Sequence, residues 1–176
     1  MGGSDTHDYL SGIDALVAAG VADPDRVGVT GASYGGYISS WLITQDQRFA
    51  AAVPMAPVTN WYSQHLTSNI PFFDRIFLGD DPYAAGGRYH GRSPVMFAHR
   101  VRTPTLQTTG LEDRCTPPGQ ATEFHNALLE AGVPSVCVTY PTEGHGIKGL
   151  PALVDQCTRM LDWFDRHMPA NPGNRQ

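Results

Sequence analysis

Residues 27–36 read Val-Gly-Val-Thr-Gly-Ala-Ser-Tyr-Gly-Gly, and this stretch decides the fold. Val27-Gly28-Val29-Thr30 is a short strand of the fully buried type. Gly31-Ala32-Ser33-Tyr34-Gly35 follows at once and matches Gly-x-Ser-x-Gly, and residues 35–45 then form a helix packed through Ile38, Trp41 and Leu42. A serine on a strand-to-helix turn is a nucleophile motif. The sharp turn exposes the hydroxyl, and glycines two residues to either side let neighbouring backbone approach without a Cβ clash. The helix points its N-terminal amides at the same spot, which suits developing negative charge. The backbone N–H of Tyr34 is then one oxyanion-hole donor. Taken alone, the pentapeptide also fits a glycine-rich turn with an incidental serine.

Outward from this turn, strands and helices alternate. Residues 8–20 read as an amphipathic helix with Leu10, Ile13, Leu16 and Val17 on one face, Asp5 or Thr6 as its cap and Gly20 as its stop. Residues 49–55 give a second buried strand, ended by Pro54 and Pro57. Residues 58–103 form a long excursion rich in turn formers, with short helices around 70–77 and 94–100; a stretch this long without regular structure is usually functional. A third strand at 105–109 leads to a helix at 118–131, and a fourth strand at 136–140 leads to a closing helix at 150–168. The closing helix carries Leu153, Val154, Cys157, Met160, Leu161 and Phe164 on its apolar side. The 169–176 tail is polar and expected to be disordered. Alternation of this kind predicts an α/β fold with a mainly parallel sheet between two helical layers. Residues 1–168 then make one domain.

Two further motifs fall just after predicted strands. Asp113 lies in Gly110-Leu111-Glu112-Asp113, and His145 lies in Glu143-Gly144-His145-Gly146. Open α/β sheets build their sites at the carboxyl ends of strands. The order Ser33, Asp113, His145 is that of α/β-hydrolases. In that chemistry His145 takes the proton of Ser33, and Asp113 fixes the imidazole tautomer and stabilises its cation. Glu112 is a rival for the acid role and Glu143 a weaker one. The other six histidines (His7, His65, His90, His99, His125 and His167) read as surface or core side chains. Cys115 has no glycine elbow and no histidine near in sequence, which argues against a cysteine nucleophile.

Composition excludes other classes. The net charge is -5 and the basic residues are scattered, so nothing points to nucleic acid. The three cysteines show no CxxC pairing, which argues against a zinc site, and an odd number argues against a disulfide framework. Cys137 and Cys157 sit in apolar runs and read as buried thiols. No apolar run has the length of a membrane span and no signal-peptide pattern opens the chain, so a cytoplasmic location is expected, with no cofactor, metal or membrane partner. Charged residues are 16%, below the usual share, which suggests large buried surfaces or a surface covered by something else.

The segment 23–37, Asp-Pro-Asp-Arg-Val-Gly-Val-Thr-Gly-Ala-Ser-Tyr-Gly-Gly-Tyr, resembles the nucleophile region of the prolyl oligopeptidase family of serine peptidases. The likeness is closest to its dipeptidyl-peptidase and acylaminoacyl-peptidase branches. It extends through Thr103-Pro104-Thr105, residues 110–120, Glu130-Ala131-Gly132-Val133-Pro134 and Tyr140-Pro141 with Glu143-Gly144-His145-Gly146, covering roughly residues 8–167. The resemblance implies an α/β-hydrolase fold, cleavage of peptide or ester bonds through an acyl-enzyme, and the three catalytic roles on Ser33, Asp113 and His145. Pro57-Val58-Thr59-Asn60-Trp61-Tyr62 resembles the family segment whose aromatics line the pocket beside the scissile bond, which makes Trp61 and Tyr62 substrate-binding candidates; covering the core is an equal reading for both.

Against that family, the chain lacks the β-propeller and the first four strands of the hydrolase sheet. Those strands supply the second oxyanion donor. The strand carrying Ser33 is then expected at a sheet edge, and an apolar edge invites pairing. The expected partner is a second copy of the chain or the missing N-terminal half. Two classes of function follow: a serine hydrolase, either peptidase or carboxylesterase, or a non-catalytic fragment that needs another chain to complete its site.

Overall fold

Parallel neighbours in a sheet need crossover connections, and the chain supplies three of them. The computed structural model describes residues 1–169. The strands are β1 (Val27–Ala32), β2 (Phe49–Met55), β3 (Thr105–Gly110) and β4 (Ser135–Tyr140), all parallel and ordered β1-β2-β3-β4. The crossovers are α2 (Tyr34–Gln45), the 58–103 excursion and α6 (Gly119–Glu130). Every residue of β3 is buried, as a central strand covered on both faces requires.

Two apolar clusters cover the two faces. On one, α2, α6 and the excursion bury Tyr37, Trp41, Leu42, Trp61, Phe124 and Leu128. On the other, Trp163 of α7 (Ala152–His167) packs with Ala51, Val53 and Leu106 of the sheet. Each large side chain buried in this way contributes roughly 1.5–3 kcal/mol. A bulge sets which residues face which cluster. Val27 pairs with Phe49 but Gly28 pairs with Ala51, so Phe49 reaches the first cluster while Ala51 and Val53 face the second.

The expected architecture stands, with local corrections. The first helix, α1 (Ser4–Ala18), starts one turn before the apolar periodicity. Its first buried position is polar: Thr6 accepts a hydrogen bond from the Trp41 indole at 2.9 Å. Leu10, Ile13 and Val17 face inward, but Leu16 is exposed. Asp5 lies in the first turn rather than at the cap, and its carboxylate accepts from the N–H groups of Gly2 and Gly3.

The excursion holds more helix than its periodicity suggests. The short helices are α3 (Trp61–Thr67), α4 (Phe73–Leu78) and α5 (Arg88–Gly91), with a 3-10 turn at Pro94–Arg100. Polar contacts, invisible to a hydrophobic count, start α3: Asn60 caps it by accepting from Tyr62 N–H, and Ser93 Oγ accepts from Trp61 N–H.

Helix α7 requires the largest correction. Trp163 and Gln156 are its buried residues, whereas Leu153, Val154, Cys157 and Leu161 are exposed. Cys137 is only partly buried, so neither thiol is a core residue. The helix seats one flank on β2 and β3 and leaves the apolar stripe on its other flank uncovered. β1 is covered only in part: Gly28, Thr30 and Ala32 are exposed on alternate positions, although Phe164 and Met168 lie over Gly28 and Met160 reaches Thr30. β1 stands at the sheet edge, as expected. Of the 169–176 tail, residues 170–176 lie outside the described residues.

Candidate active site

The turn after β1 is strained in the way a nucleophile elbow needs. Ser33 has φ 59° and ψ -117°, a region non-glycine residues rarely adopt. Its N–H donates to the Met55 carbonyl at 3.0 Å, and its own carbonyl accepts from Tyr37 N–H at 2.9 Å. A Cβ on Gly31 would stand 2.7 Å from the Gly35 backbone. Strand and helix can therefore approach this closely only with glycine at that position.

Three strand ends bring the sequence-selected residues together. Ser33 Oγ lies 2.9 Å from Nε2 of His145, and Nδ1 of His145 lies 2.8 Å from Oδ2 of Asp113. A proton on Nδ1 satisfies the carboxylate and leaves the Nε2 lone pair facing the Ser33 hydroxyl, as proton abstraction requires. Asp113 is 3% exposed and fully engaged. Its Oδ1 accepts from the N–H groups of Cys115 and Thr116 at 2.8 and 2.9 Å, and its Oδ2 accepts from the Thr116 hydroxyl at 2.9 Å. The register of β3 against β4, which runs unbroken from Thr105↔Ser135 to Gly110↔Tyr140, sets the acid and histidine loops side by side.

Both rival acids are turned elsewhere. Glu112 is exposed, and the Glu143 carboxylate faces the backbone of Lys148 and Gly149. Burial first, and the Asp113 charge second, raise the pKa of Cys115, which keeps it a thiol beside the acid.

Thr116 is the residue the sequence reading missed. Its hydroxyl lies 3.0 Å from the Ala56 carbonyl and 3.3 Å from His145 Nδ1, besides reaching Asp113. It ties the acid to the end of β2. The available signal was a hydroxyl three residues after an aspartate, a spacing at which the carboxylate commonly takes the backbone and hydroxyl donors.

Tyr34 opens α2, so its N–H belongs to the first turn, whose amides have no partner within the helix. Its phenol donates to Asp5 Oδ2 across to α1. Burial first, then this bond, push the phenol pKa well above its ordinary value. Burial works to raise the Asp5 carboxyl, yet hydrogen bonds from Tyr34, Gly3 and Gly2 hold it below the usual carboxylate range.

Trp61 is 1% exposed, sits in the core edge-on to Tyr37, and donates its indole N–H to the Arg92 carbonyl. The structure therefore places Trp61 inside the core rather than on an open pocket wall. Tyr62 is half-buried, with its ring 5.9 Å from that of Tyr89. The cavity beside Ser33 and His145, about 260 Å³, is lined instead by Ala32, Met55, Ala56, Thr108, Ile147 and Gln156 among others. Its walls are mainly apolar, as in most small-molecule sites. Among the described residues no cluster of His, Cys, Asp or Glu is arranged to hold a metal, and no helix is long and apolar enough to cross a membrane.

The model of the prolyl oligopeptidase family matches residues 1–170. The peptidase YuxL of Bacillus subtilis is 33% identical over 95% of this chain and 26% of its own length. The acylamino-acid-releasing enzyme of Arabidopsis thaliana is 30% identical over 95% of the chain and 23% of its own. Among solved structures, the acylaminoacyl peptidase of Pyrococcus horikoshii superposes with a TM-score of 0.87 at 28% identity, over 99% of this chain and 30% of that one. A puromycin-hydrolysing peptidase of Mycobacterium tuberculosis reaches 0.90 at 28% identity, over 98% and 26%. The chain thus spans about a quarter of the length of the curated relatives it matches.

Proposed function

Because this chain belongs to the prolyl oligopeptidase family, we propose that it carries the acylation machinery of a serine hydrolase acting on peptide bonds. The hydrogen-bonded line from Ser33 through His145 to Asp113, at 2.9 and 2.8 Å, carries this reading. Ser33 Oγ attacks the substrate carbonyl carbon as its proton passes to His145 Nε2. The oxyanion that forms is held at Tyr34 N–H. His145 then gives the proton to the leaving amine, the C–N bond breaks, and the acyl group stays on Ser33. Water repeats the sequence and releases the acid. The relatives' names, an acylamino-acid-releasing enzyme and a puromycin-hydrolysing peptidase, support amide-linked substrates.

A second reading, esterase, is favoured by the oxyanion site. The elbow supplies one donor, and loss of one donor of a pair costs about 10²–10³ in kcat. Activated esters, which need less stabilisation, are the substrates expected to turn over on this chain by itself. A fluorophosphonate probe tests the shared chemistry. Peptide mapping is expected to find one adduct, on Ser33. Folded protein that takes no adduct at any pH would support a non-catalytic fragment instead.

The same reading includes a partner. β1 is paired on one side only, and Leu153, Val154, Cys157 and Leu161 of α7 are exposed. A further polypeptide lies here, either a second copy or a segment from the part of the relatives' length that this chain does not span. Light scattering is expected to show self-association of the purified chain; a stable, soluble monomer would remove the support for this pairing. The free cysteines, Cys115, Cys137 and Cys157, suit a reducing compartment such as the cytoplasm.

A further inference from the structure

The loop that carries His145 has a fastening that the proton relay does not use. Glu143, two residues before the histidine, is 8% exposed. Its carboxylate turns forward along the chain and accepts two backbone hydrogen bonds, Oε2 from Lys148 N–H at 2.8 Å and Oε1 from Gly149 N–H at 2.9 Å. The side chain thereby closes a ring around residues 143–149 with the histidine inside it. The ring is tight: a Cβ on Gly149 would stand 2.4 Å from Oε1.

The loop needs such a fastening. His145 itself is exposed, Gly144 and Gly146 flank it, and Gly146 has φ +99°, so backbone stiffness there is low. Other anchors sit on the loop's own residues. Ile147 is tucked inward as part of the cavity wall, and the carbonyl of Glu143 accepts from Glu112 N–H at 2.9 Å, tying the loop to the acid loop. The Gly149 carbonyl accepts from Leu153 N–H, in the first turn of α7, at 2.9 Å, and the N–H groups of Lys148 and Gly149 are held by the Glu143 carboxylate. Hydrogen bonds to an ionised carboxylate are stronger than neutral ones, and burial removes the competition of water.

We propose that Glu143 is a positioning residue. By clamping Lys148 and Gly149 it fixes the loop so that Nε2 of His145 stays within hydrogen-bond reach of Ser33. This rests on the hydrolase reading but concerns the geometry of the free protein, so the two can fail separately.

The test compares wild type with Glu143→Ala and Glu143→Gln. Gln offers one acceptor oxygen where the carboxylate offers two, so its effects should fall between. In Glu143→Ala, amide exchange at Lys148 and Gly149 is expected to quicken. The downfield NMR signal of the His145 Nδ1 proton should broaden or shift. Labelling of Ser33 by the fluorophosphonate should slow roughly 10²-fold, the scale of a misplacement of about 1 Å, and with an activated ester the loss should fall on kcat rather than KM. The exchange and NMR readouts apply even if Ser33 proves unreactive, a result that would sink the hydrolase reading and leave the clamp supported. A folded Glu143→Ala protein with the wild-type His145 signal would overturn the clamp, as would a wild-type labelling rate where the parent protein labels.

Discussion

Asp113→Asn is expected to slow acylation of Ser33 by about 10⁴-fold while leaving the fold intact. The amide keeps its oxygen on the Cys115 and Thr116 N–H groups, which hold it in place as they hold Oδ1 of the acid. Its NH₂ group then replaces Oδ2 beside His145 Nδ1. Two donors cannot face each other, so the imidazole shifts its proton to Nε2 and presents N–H to the Ser33 hydroxyl. The base is present but already carries the proton it should accept. Second-order rate constants for fluorophosphonate labelling, with circular dichroism as the control for folding, measure this. A rate within tenfold of wild type would show that Asp113 does not orient the histidine.

Gly110→Ala should disable the site from a position outside the proton relay. Gly110 ends β3, and a Cβ there would stand 2.2 Å from the Glu143 carbonyl oxygen and 2.4 Å from that of Gly144. Both obstacles are backbone, so no rotamer change relieves the clash. The histidine loop has to lift from the sheet, carrying His145 away from Ser33. Overpacking of this kind costs about 1–3 kcal/mol of stability, and the displacement adds a rate loss of at least roughly 10²-fold. Thermal melts and labelling rates are the measurements. Wild-type values for both would show that the loop tolerates a methyl group at this point.

The sheet and the three site residues were legible in the sequence for a common reason. The strands are short runs rich in β-branched residues and bounded by turn formers, and the candidate site residues follow them closely: Ser33 after β1, Asp113 after β3, His145 after β4. Where polar groups set the structure, the signal was weak. Thr6 in a buried position hid the first turn of α1, and Asn60 and Ser93 start α3 through hydrogen bonds that no hydropathy pattern records. Thr116 escaped notice because its role appears only when β2 brings Ala56 beside the acid loop. The apolar side of α7 was read as one face. Trp163 and Leu161 stand on opposite sides of the helix, and only contact with the sheet shows that Trp163 is the covered one.

The backbone of Ser33 sets two demands on the chain against each other. A residue with a Cβ held at φ 59° costs on the order of 1–3 kcal/mol, and glycine would relieve that strain at this very position. The nucleophile of the proposed reaction is therefore also a local fault in the fold. Selection for thermal stability alone would remove it early, whereas selection for turnover must keep it and tolerate the loss. A lineage that retains serine here, on a turn built for glycine, carries a record of which of the two pressures has prevailed.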